Sequence, residues 1–286
     1  MNAAASTKDW LGRTRRDEDE VALGAVRRLA ATLDRDPAAL QRGGDLPESW
    51  YAILFGPVAL QSALGPDGHP KTGDFLPPLH GTRRMFAGRR TNFTKPLKIG
   101  DIVSRVSTVT RAEPKTGRTG PFTLVTVMHE ISGPTGLALT EEQDIVYRAA
   151  VESGTAAPQR EAAPIADEPA WSKPIELDPV LVFRYSALTF NAHRIHYDLP
   201  YARHVEGYPA LVMNGGLTAL LLIETARPHL SRPIAAYAAR AMSPLFIGQR
   251  VAFNGRLAGD TAALWALGPD GGLAYRVDVT LATTTT

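Results

Sequence analysis

Residues 183–202 read FRYSALTFNAHRIHYDLPYA and hold two of the chain's seven histidines, His193 and His196, with His204 just beyond. Imidazole, with an ordinary pKa of about 6.5, both takes and gives protons near neutrality. Such a cluster is either a proton-transfer site or a polar patch on a solvated loop, and its surroundings must decide. It follows a β-like run and precedes Asn214-Gly215-Gly216, which opens a long apolar segment. At the start of a helix, that turn offers backbone N–H groups without partners, where the helix dipole favours negative charge. Glycine there lets a ligand approach closely. Imidazoles beside such donors are what an acid–base site needs if negative charge grows on an oxygen during reaction.

Composition closes off other chemistries. The 286-residue chain has no cysteine, which excludes disulfides, thiolate zinc sites and cysteine nucleophiles. No GxGxxG, phosphate-binding loop or GxSxG occurs, so nucleotide cofactors and an α/β-hydrolase triad find no support. His193, His196, Asp198 and His204 are all ligand types, but their spacing matches no zinc pattern and no metal is expected. A net charge of +2 implies no nucleic-acid field. Arg83, Arg84, Arg89 and Arg90 fall within eight residues, a local anion site or an exposed strand. Glu142 and Asp144 alternate on a strand and read as a solvated face. The N-terminal stretch MNAAASTKDWLGRTRRDEDE lacks the apolar segment of a secretory signal, and the longest apolar run, near Leu217–Ile223, is too short to span a bilayer. A cytoplasmic protein without membrane or nucleic-acid partners is expected.

The elements that must position these residues fall into two halves. Residues 152–175 carry Pro158, Pro164, Pro169 and Pro174 and read as a linker between domains at 1–151 and 176–286. PLKIGDIV (96–103) and PLFIGQRV (244–251) share the frame PLxIGxxV, and each leads into a strand-like alternation, as an internal duplication would. In the first half the pattern predicts a helix over 19–33, an irregular loop over 65–78, and strands over 122–132 and 137–149. In the second it predicts strands over 180–189, 234–242, 249–258, 261–267 and 273–282, with Pro269-Asp270-Gly271-Gly272 turning the last pair. Residues 214–230 read as a helix apolar on nearly all sides, hence buried. One buried helix wrapped by an antiparallel sheet is a hot-dog domain, so the expected class is α+β, a double hot-dog.

FNAHRIHYD (190–198) resembles the hydratase-2 motif of MaoC-like enoyl-thioester hydratases, Gly-Asp-x-Asn-Pro-aliphatic-His. Phe190 stands at the Gly place, Asn191 at the Asp, His193 at the Asn, Arg194 at the Pro, Ile195 at the aliphatic position and His196 at the His. The match is closer to the branch that holds mesaconyl-C4-CoA (3-methylfumaryl-CoA) hydratase, itaconyl-CoA hydratase and type 2 hydroxyacyl-thioester dehydratase. Residues 10–14, 30–34 and 64–78 and Arg83-Arg84-Met85 resemble that branch too.

The resemblance implies reversible hydration of an α,β-unsaturated acyl-CoA, with CoA part of the substrate and no separate cofactor. It places catalysis in the second half and substrate or CoA binding in the first; a homo-oligomer is open as a partner, since the sequence does not give the oligomeric state. In such hydratases an Asp and a His share the proton work. Asn191 has no usable pKa, so that work falls to His196, with His193, while Asn191 orients water or the thioester. Asp198 is a candidate to fix the imidazole tautomer. Asn214, Gly215 and Gly216 would hold the thioester oxygen, although relatives carry His-Gly or Gln-Gly here; the plain alternative for Asn214 is a helix N-cap. A branched C5 dicarboxylyl-CoA, mesaconyl-C4-CoA or itaconyl-CoA, needs a cation for its free carboxylate. Arg194, Arg83 and Arg84 are the candidates, with Tyr197 beside them. The alternatives are a 3-hydroxyacyl-thioester dehydratase of fatty-acid synthesis and a non-catalytic acyl-CoA-binding protein.

Overall fold

The structure is a computed structural model that describes residues 7–79, 82–117, 120–149 and 168–283. Most of the stretch read as a linker, 152–167, lies outside these residues. Among the described residues ten strands are present: β1 (Thr14–Glu20), β2 (Thr82–Phe93), β3 (Ile102–Gly117), β4 (Gly120–Gly133), β5 (Gly136–Ala149), β6 (Trp171–Glu176), β7 (Ile234–Ala241), β8 (Arg250–Ala258), β9 (Thr261–Leu267) and β10 (Leu273–Leu281). Four helices accompany them: α1 (Leu23–Thr32), α2 (Pro179–Leu188), α3 (Leu199–His204) and α4 (Gly215–Ala226). None of the described helices is long and apolar enough to cross a membrane.

The strands form one antiparallel sheet in the order β1-β3-β4-β5-β2-β7-β10-β9-β8-β6. Outward from the β2–β7 seam the two sides repeat each other, so β2, β5, β4, β3 and β1 correspond to β7, β10, β9, β8 and β6. The repeated PLxIGxxV frame performs the same task on each side. Its glycines, Gly100 (φ 102°) and Gly248 (φ 86°), are left-handed. Their N–H groups bond to the carbonyls of Val21 and Leu177 at 2.8 Å, at the junctions of β1 with α1 and of β6 with α2. The duplication expected from the frame is thus a duplicated architecture, a double hot-dog of α+β class.

What fills the two concave sides differs. In the second half α4 is the buried helix that the pattern predicted: Leu217, Leu220, Leu222 and Ile223 are at most 2% exposed. Each such side chain contributes about 1.5–3 kcal/mol by leaving water. In the first half the place of a central helix is taken by a 3-10 turn, Glu48–Ile53, with Trp50 and Tyr51 buried. The two fillers meet: Trp50 Nε1 donates to Glu224 Oε1 at 3.0 Å and Arg227 Nη1 to Glu48 Oε2 at 2.8 Å.

Several predicted elements are corrected. Residues 180–189 are not a strand but α2, because Asp178 caps the N-terminus by accepting from Val180 N at 2.8 Å and Pro179 presets the first turn. The β-forming Val180 and Phe183 then point outward, exposed. The helix over 19–33 begins only at Leu23, since Asp19 and Glu20 belong to β1. The end of the supposed linker, Trp171–Glu176, is β6, an edge strand on β8 that tolerates Pro174. Helix 214–230 ends at Ala226, and Arg227–His229 is a 3-10 turn around Pro228.

Candidate active site

The histidine loop begins where α2 stops. Phe190 is left-handed (φ 50°), the conformation natural to the glycine whose place it takes in the motif. Asn191 N bonds to Ser186 O at 2.9 Å, and Asn191 Oδ1 accepts from His193 N at 3.0 Å, an Asx turn that sets the direction of the loop. Arg194–His196 form one 3-10 turn, and Asp198 then caps α3 by accepting from Tyr201 N at 3.0 Å.

A first-half loop locks onto this one. Arg194 N bonds to Asp67 O, and Arg194 Nη1 to Pro66 O, both at 2.9 Å. Gly68 (φ 89°) sits so close that a Cβ would lie 1.9 Å from Ala192 O, so only glycine fits. The docking brings His69 against His193, with ring centroids 4.1 Å apart, and His193 lies 5.6 Å from His196. Asp67 holds His69 by both carboxylate oxygens: Oδ1 accepts from its backbone N at 3.0 Å, and Oδ2 lies 2.9 Å from Nδ1.

His196 Nδ1 lies 2.7 Å from Val212 O, and a carbonyl only accepts, so Nδ1 carries the proton and Nε2 keeps its lone pair. That carbonyl, not Asp198, sets the tautomer. Val212 stands two residues before Asn214, so the imidazole is tied to the mouth of α4.

The electrostatics keep these rings neutral. Burial, added to the charges of His69, His196 and Arg84, holds His193 down to about 2. Burial holds His196 down to about 4, against the raising effect of the Val212 bond. Burial and Arg84 lower His69, while Asp67 opposes them. Asp67 itself, despite burial, is held at about 2 by its contacts with His69. Asp67, His69 and His193 also bring potential ligand atoms within 4.8 Å of one another, the grouping closest to a metal site among the described residues.

The candidate cations separate. Arg194 is committed to the loop: Nε and Nη2 donate to Asp198 Oδ2 at 2.9 and 2.7 Å, and the guanidinium lies over the Tyr201 ring. Arg83 pairs with Glu206 at 3.8 Å. Arg84 has no ion-pair partner among the described residues, and its charge acts on His69 and His193. Arg90 pairs with Glu142 and Asp144 on the open face, which accounts for those two carboxylates. Tyr197 is exposed, and its hydroxyl bonds to Ala192 O at 3.1 Å.

At α4, Asn214 precedes the helix, but, contrary to the plain alternative of an N-cap, its side chain makes no capping bond. Its Nδ2 instead donates to Ser186 Oγ at 3.2 Å on α2. Gly215 packs under the Phe86 ring, and a Cβ on Gly216 would lie 2.6 Å from Tyr185 Oη. Beneath lies a network that no sequence signal announced. Arg89 Nη1 bonds to Glu141 Oε2 at 3.3 Å, and that carboxylate also accepts from Tyr51 Oη, which meets Thr91 and Tyr237. Tyr51, Arg89, Arg105, His129, Glu141 and Gln143 line a cavity of about 140 Å³ in the first half, separate from the histidine cluster. Asp67 and His69 were missed as well. The turn GPDGHP reads as an ordinary loop, and only the glycine between them hints at close docking.

A profile of the hydroxyacyl-thioester dehydratase type 2 family matches residues 50–247. The mesaconyl-C(4)-CoA hydratase of Chloroflexus aurantiacus is 44% identical over 98% of this chain and 99% of its own. Among solved structures, a MaoC-like dehydratase from Phytophthora capsici superposes with a TM-score of 0.69 at 12% identity, over 96% of this chain and 97% of that one. A conserved hypothetical protein of Mycobacterium tuberculosis described as a double hot-dog fold gives 0.58 at 13% identity, over 95% and 96%. At such identities the structures speak for the fold alone. Together with the duplicated sheet and the histidine loop, the matches to the profile and to the full-length relative establish that the chain belongs to the hydroxyacyl-thioester dehydratase type 2 family.

Proposed function

We propose that the protein is a hydro-lyase that adds water reversibly across the double bond of an α,β-unsaturated acyl-CoA, with mesaconyl-C4-CoA as the first substrate and itaconyl-CoA the second. One observation carries the reading: the His196 imidazole is bonded through Nδ1 to the Val212 carbonyl, two residues before Asn214 at the start of α4, which leaves Nε2 its lone pair. Near-full-length identity to a mesaconyl-C4-CoA hydratase supports the substrate class.

Each residue then has a task. His196 Nε2 accepts a hydrogen bond from the attacking water and aims its oxygen at the β-carbon. The thioester oxygen rests against the N–H groups of Gly215 and Gly216, which stabilise the charge that grows there. Asn191 Oδ1 is spent on the loop turn, which leaves its amide N–H to hold water or thioester. His193 packs between His69 and His196 and keeps them in register. Arg84 meets the distal carboxylate, because Arg194 and Arg83 are held in ion pairs while, among the described residues, Arg84 meets only the Tyr147 hydroxyl.

A panel assay tests this. Mesaconyl-C4-CoA, itaconyl-CoA, crotonyl-CoA and a 3-hydroxyacyl-CoA are offered to the purified protein while the enoyl-thioester absorbance is followed. Hydration of the dicarboxylyl substrates well ahead of crotonyl-CoA is the expected result. A preference for long 3-hydroxyacyl chains would instead favour a fatty-acid dehydratase.

A further inference from the structure

Hydration requires a group that stores a proton between its departure from water and its arrival at the α-carbon. The three imidazoles at the loop junction are not equivalent in this respect. His193 and His196 are buried without a carboxylate bonded to the ring; Asp67 reaches His193 only through space, within 4.8 Å, against the opposing charges of Arg84 and the other rings. His69 has Asp67, whose oxygens fix both its backbone and its Nδ1–H. A carboxylate that orients an imidazole also stabilises the imidazolium that forms when the far nitrogen takes a proton.

We propose that the Asp67–His69 pair, contributed by the first half, is the proton-transfer unit of the site, with His69 the catalytic residue and Asp67 its positioning residue. It supplies the carboxylate that position 191 lacks. The proposal rests on the hydratase reading above and deepens it. With Nδ1–H held by Asp67, the His69 Nε2 lone pair takes a proton from the water that His196 orients. The water O–H bond breaks and the oxygen bonds to the β-carbon. The π pair of the double bond moves into the enolate, with charge on the thioester oxygen at α4. His69 Nε2 then returns its proton to the α-carbon, closing the C–H bond and regenerating the neutral ring.

The charged and titratable groups facing the pair are Arg84 from β2 and His193 and His196 from the opposing loop, with Glu206 and Tyr201 acting on Asp67. Arg84 offsets the Asp67 carboxylate while the His69 ring is neutral, and the imidazolium forms against that same carboxylate. The same atoms could be imagined as metal ligands. Two of them are already engaged with each other, and the Arg84 charge opposes a cation.

The test compares wild type, His69→Gln, His69→Ala and Asp67→Asn on mesaconyl-C4-CoA, with thermal unfolding to confirm folding. His69→Gln and His69→Ala are expected to lower kcat about 100-fold or more with KM changed about threefold or less, and added imidazole should restore part of the His69→Ala rate. If His69→Ala does not fold, the near-isosteric His69→Gln carries the test. Asp67→Asn should lower kcat about tenfold. It should also move the acid limb of the kcat/KM profile to lower pH, since loss of the carboxylate weakens proton binding at His69. A His69→Gln rate within about threefold of wild type, or a loss confined to KM, would overturn the proposal while leaving the hydratase reading intact. Loss of wild-type activity on chelation, with recovery on added Zn²⁺, would overturn it by making these residues ligands. A wild type inert towards every thioester in the panel would defeat the underlying reading instead.

Discussion

The two halves share a strand order and a glycine-bearing frame, yet one wraps a twelve-residue helix and the other a six-residue 3-10 turn. The difference separates what duplication preserves from what it frees. The sheet edges, the frame glycines and the helix that follows each edge strand recur because they close the architecture. The concave contents do not recur, because the architecture closes without them. The second half keeps the apolar helix and its amide-rich mouth. The first half sets Arg89, Arg105, His129 and Glu141 among Leu54 and Ile131 around its cavity, and docks the loop of residues 66–69 on its neighbour's histidine loop.

If the second half holds the water, His196→Ala should cut turnover about 100-fold or more with the unfolding transition intact. Unchanged kcat in a steady-state assay would remove that half from the chemistry. If the first half lends a cation, Arg84→Ala should lower kcat/KM for mesaconyl-C4-CoA about 30-fold and for crotonyl-CoA about threefold or less. Arg194→Ala, which loosens the loop itself, should hurt both substrates alike. A selective loss in Arg194→Ala, with none in Arg84→Ala, would reverse the assignment.

The seam between the two loops is tested by Gly68→Ala. Its left-handed backbone and the contact with Ala192 O predict a loss of about 2–3 kcal/mol in denaturant unfolding, together with reduced activity. Full stability would mean that the loops do not interlock. A second effect on stability, smaller for each ring, concerns acid, and both halves should show it. His193, His196 and, in the first half, His129 have native pKa values depressed to about 2, 4 and 4 by burial. Below the unfolded value of about 6.5 the unfolded chain binds more protons, so stability is present above that pH and falls as pH drops towards 4. Each ring should cost on the order of 1–2 kcal/mol by pH 5. Chemical denaturation across pH 5–7 measures this, and His129→Gln should flatten the curve; a flat wild-type profile would contradict the burial.

The repeat, the buried helix, the C-terminal strands and the histidine loop were all legible, because each is written locally in periodicity, glycine placement or a motif. α2 was misread because its β-branched and aromatic residues favour a strand, while its helix rests on an Asp-Pro start that outweighs them. β2 was only one of two readings of its arginines, because these serve different surroundings along one strand: Arg84 faces His69 and His193, Arg89 the buried network, Arg90 the open face. Alternation in hydrophobicity never develops there. His69 was invisible for a different reason. No periodicity or spacing distinguishes it from any loop histidine; the resemblance of residues 64–78 marks its loop but not the residue, whose standing comes from the docking of Gly68 on Ala192.

Arg194 grips Pro66 across 128 residues of chain. A polypeptide emerging from denaturant can form its hairpins from neighbours, but that handshake must wait until both ends of a very long excursion have found each other. Regained circular dichroism should therefore precede regained turnover, and a refolding sample will pass through a period in which it looks native and does nothing.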